Sequence, residues 1–405
     1  MVKIDSSSKI LKNKTSEDKQ KIEEVLNRGV EEVIVREDLR KKLLYNKKLK
    51  IYLGVDPTGF SLHLGHAVVL RKLKEFQKLG HEVILLIGDF TAKIGDPSGK
   101  DIMRVPLTDK QIKENFKDYK KQASKVLDFS KVKIKYNSSW LSKLKFADIL
   151  ELSNHFTVQQ MLHREMFNKR IKDNLPISLT EFMYPLMQGY DSVAMDVDIE
   201  VGGNDQMFNM LAGRTLQKVY HNKDKDIITT KLLLGTDGRK MSKTYDNAIY
   251  LNDNPSEMFG KIMSIKDELI ADYFELCTYL GTEEIIEIMK KPNPRDQKAR
   301  LAFEIVKMYH GEKEAQKAEQ EFNKTFRDKE FPLDAKKIHF PGMAIHVVDF
   351  LFEGGLADSK SEAKRLILQG AVKINDQVQR DWKEIINPQP GMKIQVGPRK
   401  FLELI

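Results

Sequence analysis

The sequence has 405 residues but a single cysteine, Cys277. One thiol excludes an internal disulfide and any zinc site that is built from several cysteines. A chain without disulfides suits the reducing cytoplasm, and we expect the protein to be located there.

Long apolar segments are also missing. The longest purely apolar run, Val83 to Ile87, is far shorter than the roughly 20 residues that cross a bilayer as a helix. No apolar signal segment follows the N-terminus, and acidic residues precede the first arginine, Arg28, which disfavours a transit peptide. We therefore expect no association with membranes.

The composition, 41% hydrophobic and 31% charged, is typical of a globular protein, and the length predicts two or three domains. The net charge of +9 permits a polyanionic partner such as a nucleic acid. A lysine-rich surface that is merely solvated explains the charge equally well.

A strand–helix rhythm begins after the first thirty residues. Apolar spacing predicts a strand over residues 50–55, a helix over 64–79 that Gly80 ends, and a second strand over 81–88. Such a βαβ unit predicts an α/β fold with a Rossmann-like parallel sheet.

Changes of pattern along the chain predict its domains. We expect an N-terminal extension with a helix (1–32), the Rossmann-like domain (33–245), a helical domain (246–330), a linker (331–341) and a small α+β domain (342–405).

Two histidines stand where the first strand of the βαβ unit turns into its helix, in His63-Leu64-Gly65-His66. The carboxyl ends of parallel strands bind ligands, and a helix N-terminus favours phosphate. Gly65 has no Cβ, which would let an adenine ring approach the backbone. Taken alone, two histidines near a loop are more often ordinary surface residues.

A second motif, Lys240-Met241-Ser242-Lys243, follows another apolar strand. Its lysines can close over phosphates and neutralise charge as a transition state forms, although a basic turn is often only solvated. The two motifs together predict an enzyme that activates a carboxylic acid with ATP, because that reaction mainly needs positioning and charge stabilisation at the α-phosphate.

Polar residues in apolar surroundings mark a further site. Tyr184, Gln188 and Asp191 lie at i, i+4 and i+7 and share one helix face, where they await a ligand or form an internal network. A strand-to-helix junction at 202–206 and a Gly/Pro turn at 95–100 carry further polar groups.

These motifs resemble those of class I aminoacyl-tRNA synthetases, and together with Tyr52 they resemble the tyrosyl-tRNA synthetase family. The resemblance is specific over about residues 52–244 and more diffuse towards the C-terminus. It implies contacts to tyrosine: Tyr52 and Asp191 to the phenolic hydroxyl, Asp96, Tyr184 and Gln188 to the α-ammonium, and Gln206 near the carboxyl end.

The same resemblance implies the contacts to ATP. His63, His66, Lys240 and Lys243 would stabilise the transferring phosphate, Lys100 and Arg104 would act on pyrophosphate, Gly65 would approach the adenine, and Gly203 and Asp205 would face the ribose. ATP would enter with Mg²⁺ as a substrate complex, without a protein-bound metal or an organic cofactor. Departures at Leu53, Val68-Val69 and Met241-Ser242 point to the second bacterial subgroup of the family and make the minor ATP contacts less transferable.

The C-terminal part resembles an S4-type RNA-binding domain. Ser359 can cap a helix, and four basic residues would contact tRNA, namely Lys360, Lys364, Arg365 and Lys373, although a basic helix face is commonly just solvated. The resemblance further implies an anticodon-binding role for 246–330, tRNA(Tyr) as a partner, and a homodimer formed by a helical segment near 120–170.

Three alternatives remain open at this point. A tryptophanyl-type synthetase shares the sheet and loops but not the polar set around Tyr52 and Asp191. A nucleotidyltransferase of the same superfold would not need an S4-like tail. A silent RNA-binding protein would not need the two histidines and two lysines.

Overall fold

The computed structural model describes residues 15–45, 48–59, 61–98, 107–242, 245–326, 335–340, 342, 344–397 and 400–405. The chain divides into two compact units. The first comprises Met1–Asp253 and Ile265–Gln297, and the second comprises Asn254–Ser264 and Lys298–Ile405. The helical stretch that we expected to form one domain is thus shared between the two units.

The first unit is built on a six-stranded sheet. Its strands are β1 (Val30–Ile34), β2 (Lys50–Val55), β3 (Glu82–Ile87), β4 (Val132–Tyr136), β5 (Ile199–Gly203) and β6 (Asp226–Thr230). They lie in the order β1-β6-β5-β2-β3-β4, and all neighbours are parallel except β1 and β6. The strand order reverses between β2 and β5, and ligands bind at such a point in parallel sheets.

The predicted helices are present, with some shorter than expected. The structure contains α1 (Ser16–Asn27), α2 (Arg36–Leu44), α3 (Leu64–Lys78), α4 (Asp109–Ala123), α5 (Ser138–Leu141), α6 (Phe146–Ser153), α7 (Val158–Leu162), α8 (Glu165–Lys172), α9 (Leu179–Met195), α10 (Met207–His221), α11 (Pro255–Met263), α12 (Ile270–Cys277), α13 (Thr282–Met289), α14 (Pro294–His310) and α15 (Glu312–Phe326). No helix in the described part of the chain is both long and apolar enough to cross a membrane.

The central strands are buried because helices cover both faces of the sheet. All residues of β3 after Glu82 are buried, as its continuous apolar sequence predicts for a parallel strand. The helix that follows β2 begins at Leu64 with His63 as its N-cap. This places the histidine motif at the carboxyl end of β2, where the sequence analysis expected it.

The edge strand β1 was not predicted. It runs antiparallel to β6, with Val33 opposite Ile228 and Ile34 opposite Ile227. Its sequence, VEEVI, has no residue that is fully buried, so its hydrophobic pattern was too weak to indicate a strand. Backbone pairing with β6 holds this segment in an extended conformation.

Residues 265–297 are part of the first unit, and Arg28, just before β1, contacts them by capping the C-terminal end of α12. Its guanidinium donates to the backbone carbonyls of Leu280 at 2.7 Å, Thr278 at 2.9 Å and Glu275 at 3.0 Å. Carbonyls at a helix C-terminus need such donors. A cation also complements the negative end of the helix dipole.

The second unit contains α11, α15 and most of α14, followed by a small α+β region. Phe259 of α11 and Phe322 of α15 pack with their ring centroids 5.4 Å apart. The α+β region comprises α16 (Val347–Glu353) and α17 (Lys360–Leu368) with β7 (Lys336–Ile338), β8 (Ile345–His346), β9 (Val372–Ile374), β10 (Gln377–Val378), β11 (Ile385–Ile386), β12 (Lys393–Val396) and β13 (Lys400–Leu404).

Five of these short strands form one sheet in the order β10-β9-β12-β13-β7. Asn375 and Asp376 both have positive φ, as the tight turn between β9 and β10 requires. The apolar faces of α16, α17 and the sheet enclose their own core. Ser359 accepts a hydrogen bond from the N–H of Glu362 at 3.1 Å, which confirms the predicted helix cap.

Candidate active site

The two histidines of the first motif contact each other. Their ring centroids are 3.9 Å apart, and Nδ1 of His66 accepts the backbone N–H of His63 at 3.2 Å. A Cβ on Gly65 would lie 3.0 Å from the His63 ring. The absent side chain therefore makes room for that imidazole, in addition to any role in approaching adenine.

Both imidazoles are neutral near pH 7. Burial, together with the nearby His66 and Lys240, lowers the pKa of His63 to about 2. Enclosure of its ring lowers the pKa of His66 to about 4 against a smaller, opposing effect of Asp205, although the residue as a whole is exposed. Because Nδ1 of His66 is an acceptor, its proton lies on Nε2, which can donate to a ligand.

The lysine motif lies beside the histidines. Nζ of Lys240 contacts the Asp205 carboxylate at 3.1 Å, and Sδ of Met241 lies 3.9 Å from the position that a Cβ on Gly65 would take. The structure thus brings together His63, His66, Lys240 and Asp205, which come from three separate parts of the sequence. Lys243, Lys100 and Arg104 lie outside the described residues.

The loop that carries Lys240 is tied down by one asparagine. Asn247 donates to the carbonyl of Lys240 at 3.2 Å and to Asp237 at 2.7 Å, and it accepts the N–H of Ser242 at 2.9 Å. A Cβ on Gly235 would come within 2.3 Å of Asn247, so glycine is required for this close packing. Gly238 has a φ of +84°, a conformation that other residues rarely adopt.

The polar side chains of helix α9 contact residues at the carboxyl end of β2 and in β5. The hydroxyl of Tyr184 donates to Asp56 at 2.8 Å, and Gln188 donates through Nε2 to Glu200 at 3.0 Å. Tyr184 and Gln188 therefore each have an internal hydrogen-bond partner, which is the alternative to a ligand that their spacing leaves open.

Asp191 is the most enclosed acid of this face. It is 2% exposed and accepts hydrogen bonds from the Trp140 indole at 2.7 Å and from Asn137 at 3.3 Å. Burial raises the pKa of its carboxyl well above the ordinary value, and the two donors oppose that effect. When it is ionised, the carboxyl has about four acceptor positions, and these two donors occupy two of them.

A chain of buried polar groups continues behind Tyr52. The Tyr52 hydroxyl lies 2.9 Å from Oγ of Ser192, and Ser192 in turn accepts a hydrogen bond from Nζ of Lys225 at 3.0 Å. Lys225 forms an ion pair with Glu200. Burial lowers the pKa of the lysine, whereas the glutamate opposes that effect.

Asp96 occupies the other end of the pocket. Its Oδ2 accepts a hydrogen bond from Gln206 at 2.7 Å, and its Oδ1 accepts the N–H of Ser98 at 2.9 Å and a longer bond from Asn209 at 3.4 Å. Arg164 fixes this turn by donating to Oγ of Ser98 at 2.6 Å. Asp96 and Gln206, which were predicted separately, are thus directly bonded.

Gly203 and Asp205 lie together at the end of β5. A Cβ on Gly203 would come within 2.8 Å of the Asp205 carboxylate, so the glycine leaves space for that acid. A short 3-10 turn, Asn204–Gln206, joins β5 to α10 and carries both Asp205 and Gln206. One junction therefore serves both the Asp96 end of the pocket and the lysine loop.

Several contact residues were missed in the sequence: Asp56, Asn137, Trp140, Arg164, Glu200, Asn209 and Lys225. Asp56 had an available signal, because it directly follows β2, in the segment that leads to the histidine motif. Lys225 had none, since it lies among Lys223, Asp224 and Asp226 in what reads as a polar surface turn.

In the second unit, three of the four predicted RNA-contact residues have internal partners. Lys360 pairs with Asp349 at 2.8 Å, Nζ of Lys364 lies 3.8 Å from the centroid of the Trp382 ring, and Arg365 approaches Glu362 at 3.5 Å. Lys373 lies on the neighbouring strand β9. Exposed ion pairs of this kind contribute little to stability, so the side chains remain available to phosphate.

No group of three or more histidine, cysteine or acidic side chains within the described ranges is arranged to hold a metal ion. The polar side chains of the site instead gather near the strand-order reversal, with the histidines and Lys240 in one part and the buried Asp191 in another.

Comparison with known proteins defines the class first. Residues 42–327 match the family model described as tRNA synthetases class I (W and Y), and residues 347–389 match the S4 domain. Among solved structures, a C-terminally truncated mitochondrial tyrosyl-tRNA synthetase from Aspergillus nidulans shares the fold, with a TM-score of 0.64, 24% identity, and coverage of 79% of this chain and 97% of that one.

Relatives that align with nearly the whole chain show which family of this class the chain belongs to. A tyrosine–tRNA ligase from Carboxydothermus hydrogenoformans is 48% identical, covering 94% of this chain and 97% of the relative. One from Thermotoga maritima is 46% identical, covering 94% and 96%. The chain therefore belongs to the tyrosyl-tRNA synthetase family and carries a C-terminal S4 domain. The predicted fold class, family and enzyme class are confirmed.

Proposed function

We propose that the protein activates L-tyrosine with ATP to form tyrosyl-adenylate and pyrophosphate, and then transfers tyrosine to the 3′ end of tRNA(Tyr). The observation that carries this proposal is the convergence of His63, His66 and Lys240 beside a polar pocket that ends at Asp191. This convergence supports the proposal because phosphate chemistry and recognition of a small polar substrate would then take place side by side.

The enclosed end of the pocket suits a phenol. Tyr52 and Asp191 would bind the phenolic hydroxyl, with Asp191 as acceptor. Phenylalanine would leave these buried groups without a partner, which is strongly unfavourable. Tryptophan also lacks a hydroxyl, so the same two residues favour tyrosine over the other amino acid of the W and Y class.

The Asp96 end of the pocket suits the amino-acid backbone. Asp96, Tyr184 and Gln188 would hold the α-ammonium, and Gln206 would lie near the carboxyl group. The Gln206–Asp96 hydrogen bond of 2.7 Å supports a shared task for these two residues. It also directs the carbonyl oxygen of the Gln206 amide away from Asp96.

The histidine and lysine motifs would stabilise the phosphate in transfer. In-line attack by the tyrosine carboxylate on the α-phosphorus expels pyrophosphate, and charge grows on the phosphoryl oxygens. The neutral His66 would donate from Nε2, with His63 beside it, while Lys240 and Lys243 supply positive charge. Lys240 would exchange Asp205 for the phosphate, which frees Asp205 and the adjacent Gly203 to face the ribose.

The remaining ATP contacts complete the assignment. Lys100 and Arg104 would act on pyrophosphate, Gly65 would approach the adenine, and Mg²⁺ would enter bound to ATP. The site would need no metal ion of its own and no organic cofactor.

We assign tRNA contact to the S4 domain, through Lys360, Lys364, Arg365 and Lys373, and anticodon contact to the helical stretch at 246–330. Exposed apolar side chains in the helical part of the first unit support a homodimer: Phe146 is 75%, Val158 65% and Leu179 78% exposed. We place the enzyme in the cytoplasm, where the tRNA is charged.

ATP–pyrophosphate exchange with a panel of amino acids tests the proposal. Exchange should depend on tyrosine, with phenylalanine and tryptophan near background. Exchange driven by tryptophan, or by no amino acid, would refute it. Removal of residues 341–405 should leave tyrosine-dependent exchange intact and impair charging of tRNA(Tyr); equal loss of both reactions would contradict the division of roles.

A further inference from the structure

A buried ion pair lies directly behind the tyrosine pocket. Lys225 is 0% and Glu200 2% exposed, and the pair is bracketed by Ser192 and Tyr52, both 0% exposed. Glu200 stands opposite Tyr52 in the register between β5 and β2. The pair therefore belongs to the floor of the sheet at the point where its strand order reverses.

The fold makes room for this pair. A Cβ on Gly213 of α10 would come within 2.3 Å of Nζ of Lys225 and 2.7 Å of Oγ of Ser192. Removing two charges from water carries a desolvation penalty that their attraction need not offset, so such a pair is weak evidence for a purely stabilising role.

The pair holds the hydroxyl of Tyr52 in place through Ser192. An ammonium is only a donor, so Lys225 fills an acceptor position of Ser192 at 3.0 Å. The hydroxyl of Ser192 also lies 2.9 Å from the Tyr52 oxygen, and either oxygen of that bond can donate. Lys225 therefore holds Ser192 in place, and Ser192 in turn holds the hydroxyl of Tyr52 at the end of the pocket.

The same pair dictates the orientation of Gln188. A carboxylate is only an acceptor, so Glu200 binds the amide nitrogen of Gln188 at 3.0 Å. The carbonyl oxygen Oε1 of Gln188 is thereby presented as an acceptor, which an α-ammonium requires.

We propose that the Lys225–Glu200 ion pair is the positioning element of the tyrosine pocket, orienting Tyr52 through Ser192 and orienting Gln188 directly. This inference rests on the proposed function of the pocket. Lys225 and Glu200 would act through these side chains, by fixing the position of the Tyr52 hydroxyl and the orientation of the Gln188 amide.

The test compares two variants by ATP–pyrophosphate exchange. Ser192→Ala interrupts the link to Tyr52 and leaves the ion pair intact. Lys225→Met/Glu200→Gln removes both charges while keeping the shape, which avoids a lone buried charge. In each, the KM for tyrosine should rise and the tyrosine-over-phenylalanine ratio should fall by about tenfold, the effect of one hydrogen bond.

The matched control is Lys42→Met/Asp226→Asn. It neutralises a pair of 2.6 Å whose carboxylate is also buried but which has no link to the pocket. The control should keep the KM for tyrosine, and in all variants the KM for ATP should stay within about twofold of the parent.

A parent-like KM for tyrosine in the folded Ser192→Ala variant, judged by circular dichroism, would overturn the proposal. A parallel rise of the KM values for tyrosine and ATP would also overturn it, because that is the sign of general structural damage. Absence of tyrosine-dependent exchange in the parent enzyme would instead refute the proposed function itself.

Discussion

The indole of Trp140 is the principal donor to the buried Asp191, and Trp140→Phe removes only that donor from the pair. The Nε1–Oδ1 distance is 2.7 Å, whereas the second donor, Asn137, is at 3.3 Å. A hydrogen bond to a charged group contributes about 1.5–3 kcal/mol. One to a neutral carboxyl is roughly half as strong, so about 1 kcal/mol of the loss depends on the ionisation of Asp191.

The direction of the pH dependence follows from this bond. Burial raises the pKa of Asp191, and the Trp140 N–H opposes that effect. Without the Trp140 donor, Asp191 stays protonated to a higher pH in the folded variant than in the folded parent. In the unfolded state, Asp191 titrates alike in both proteins. Stability therefore falls more steeply with rising pH in the variant, and its deficit grows through the raised pKa of Asp191.

Native-state hydrogen exchange of the β2 amides at several pH values measures this deficit for the first unit alone. The packing lost with the indole should appear as a constant offset, and the hydrogen bond as an additional loss of about 1 kcal/mol at high pH. Trp382→Phe, which alters the S4 domain, should leave these amides unchanged. A deficit that is independent of pH would refute the electrostatic role of Trp140.

Three further predictions concern the fold and the phosphate end of the site. Val35 caps α2 with a φ of 57° and no side-chain cap hydrogen bond, so Val35→Asn should raise the unfolding free energy by about 1 kcal/mol in urea titrations; an unchanged midpoint would contradict this. Arg170, 1% exposed, pairs with Glu181, and Arg170→Met should cost about 3–5 kcal/mol, much of which Arg170→Met/Glu181→Gln should restore. Lack of recovery in that double variant would argue against an uncompensated buried charge. His66→Ala should lower kcat of exchange by about 10²-fold with little change in the KM for tyrosine. Because the pKa of His66 is lowered to about 4, titration of this imidazole should not change kcat of the parent between about pH 6 and 8.

The local elements of the fold were predictable because their signals are local. The β2 strand, the α3 helix after His63 and the helix cap at Ser359 all follow from patterns within a few residues, and each is present. The pairing of His63 and His66 with Lys240 was predictable from the order of motifs on strand ends.

What the sequence did not reveal depends on contacts between distant segments. Glu200 occupies an ordinary position of a strand, and only the register with Tyr52 and the course of the chain to Lys225 unite them. Trp140 likewise reaches Asp191 across an interval of 51 residues. The local sequence does not show which buried polar side chains will become hydrogen-bond partners in the folded core.

Charging of tRNA(Tyr) by the full-length enzyme tests the central claim most directly. With ATP and Mg²⁺, labelled tyrosine should become attached to tRNA(Tyr), while tryptophan should not be attached to either tRNA(Tyr) or tRNA(Trp). Attachment of tryptophan, or formation of an adenylate without any transfer of tyrosine to tRNA, would contradict the account.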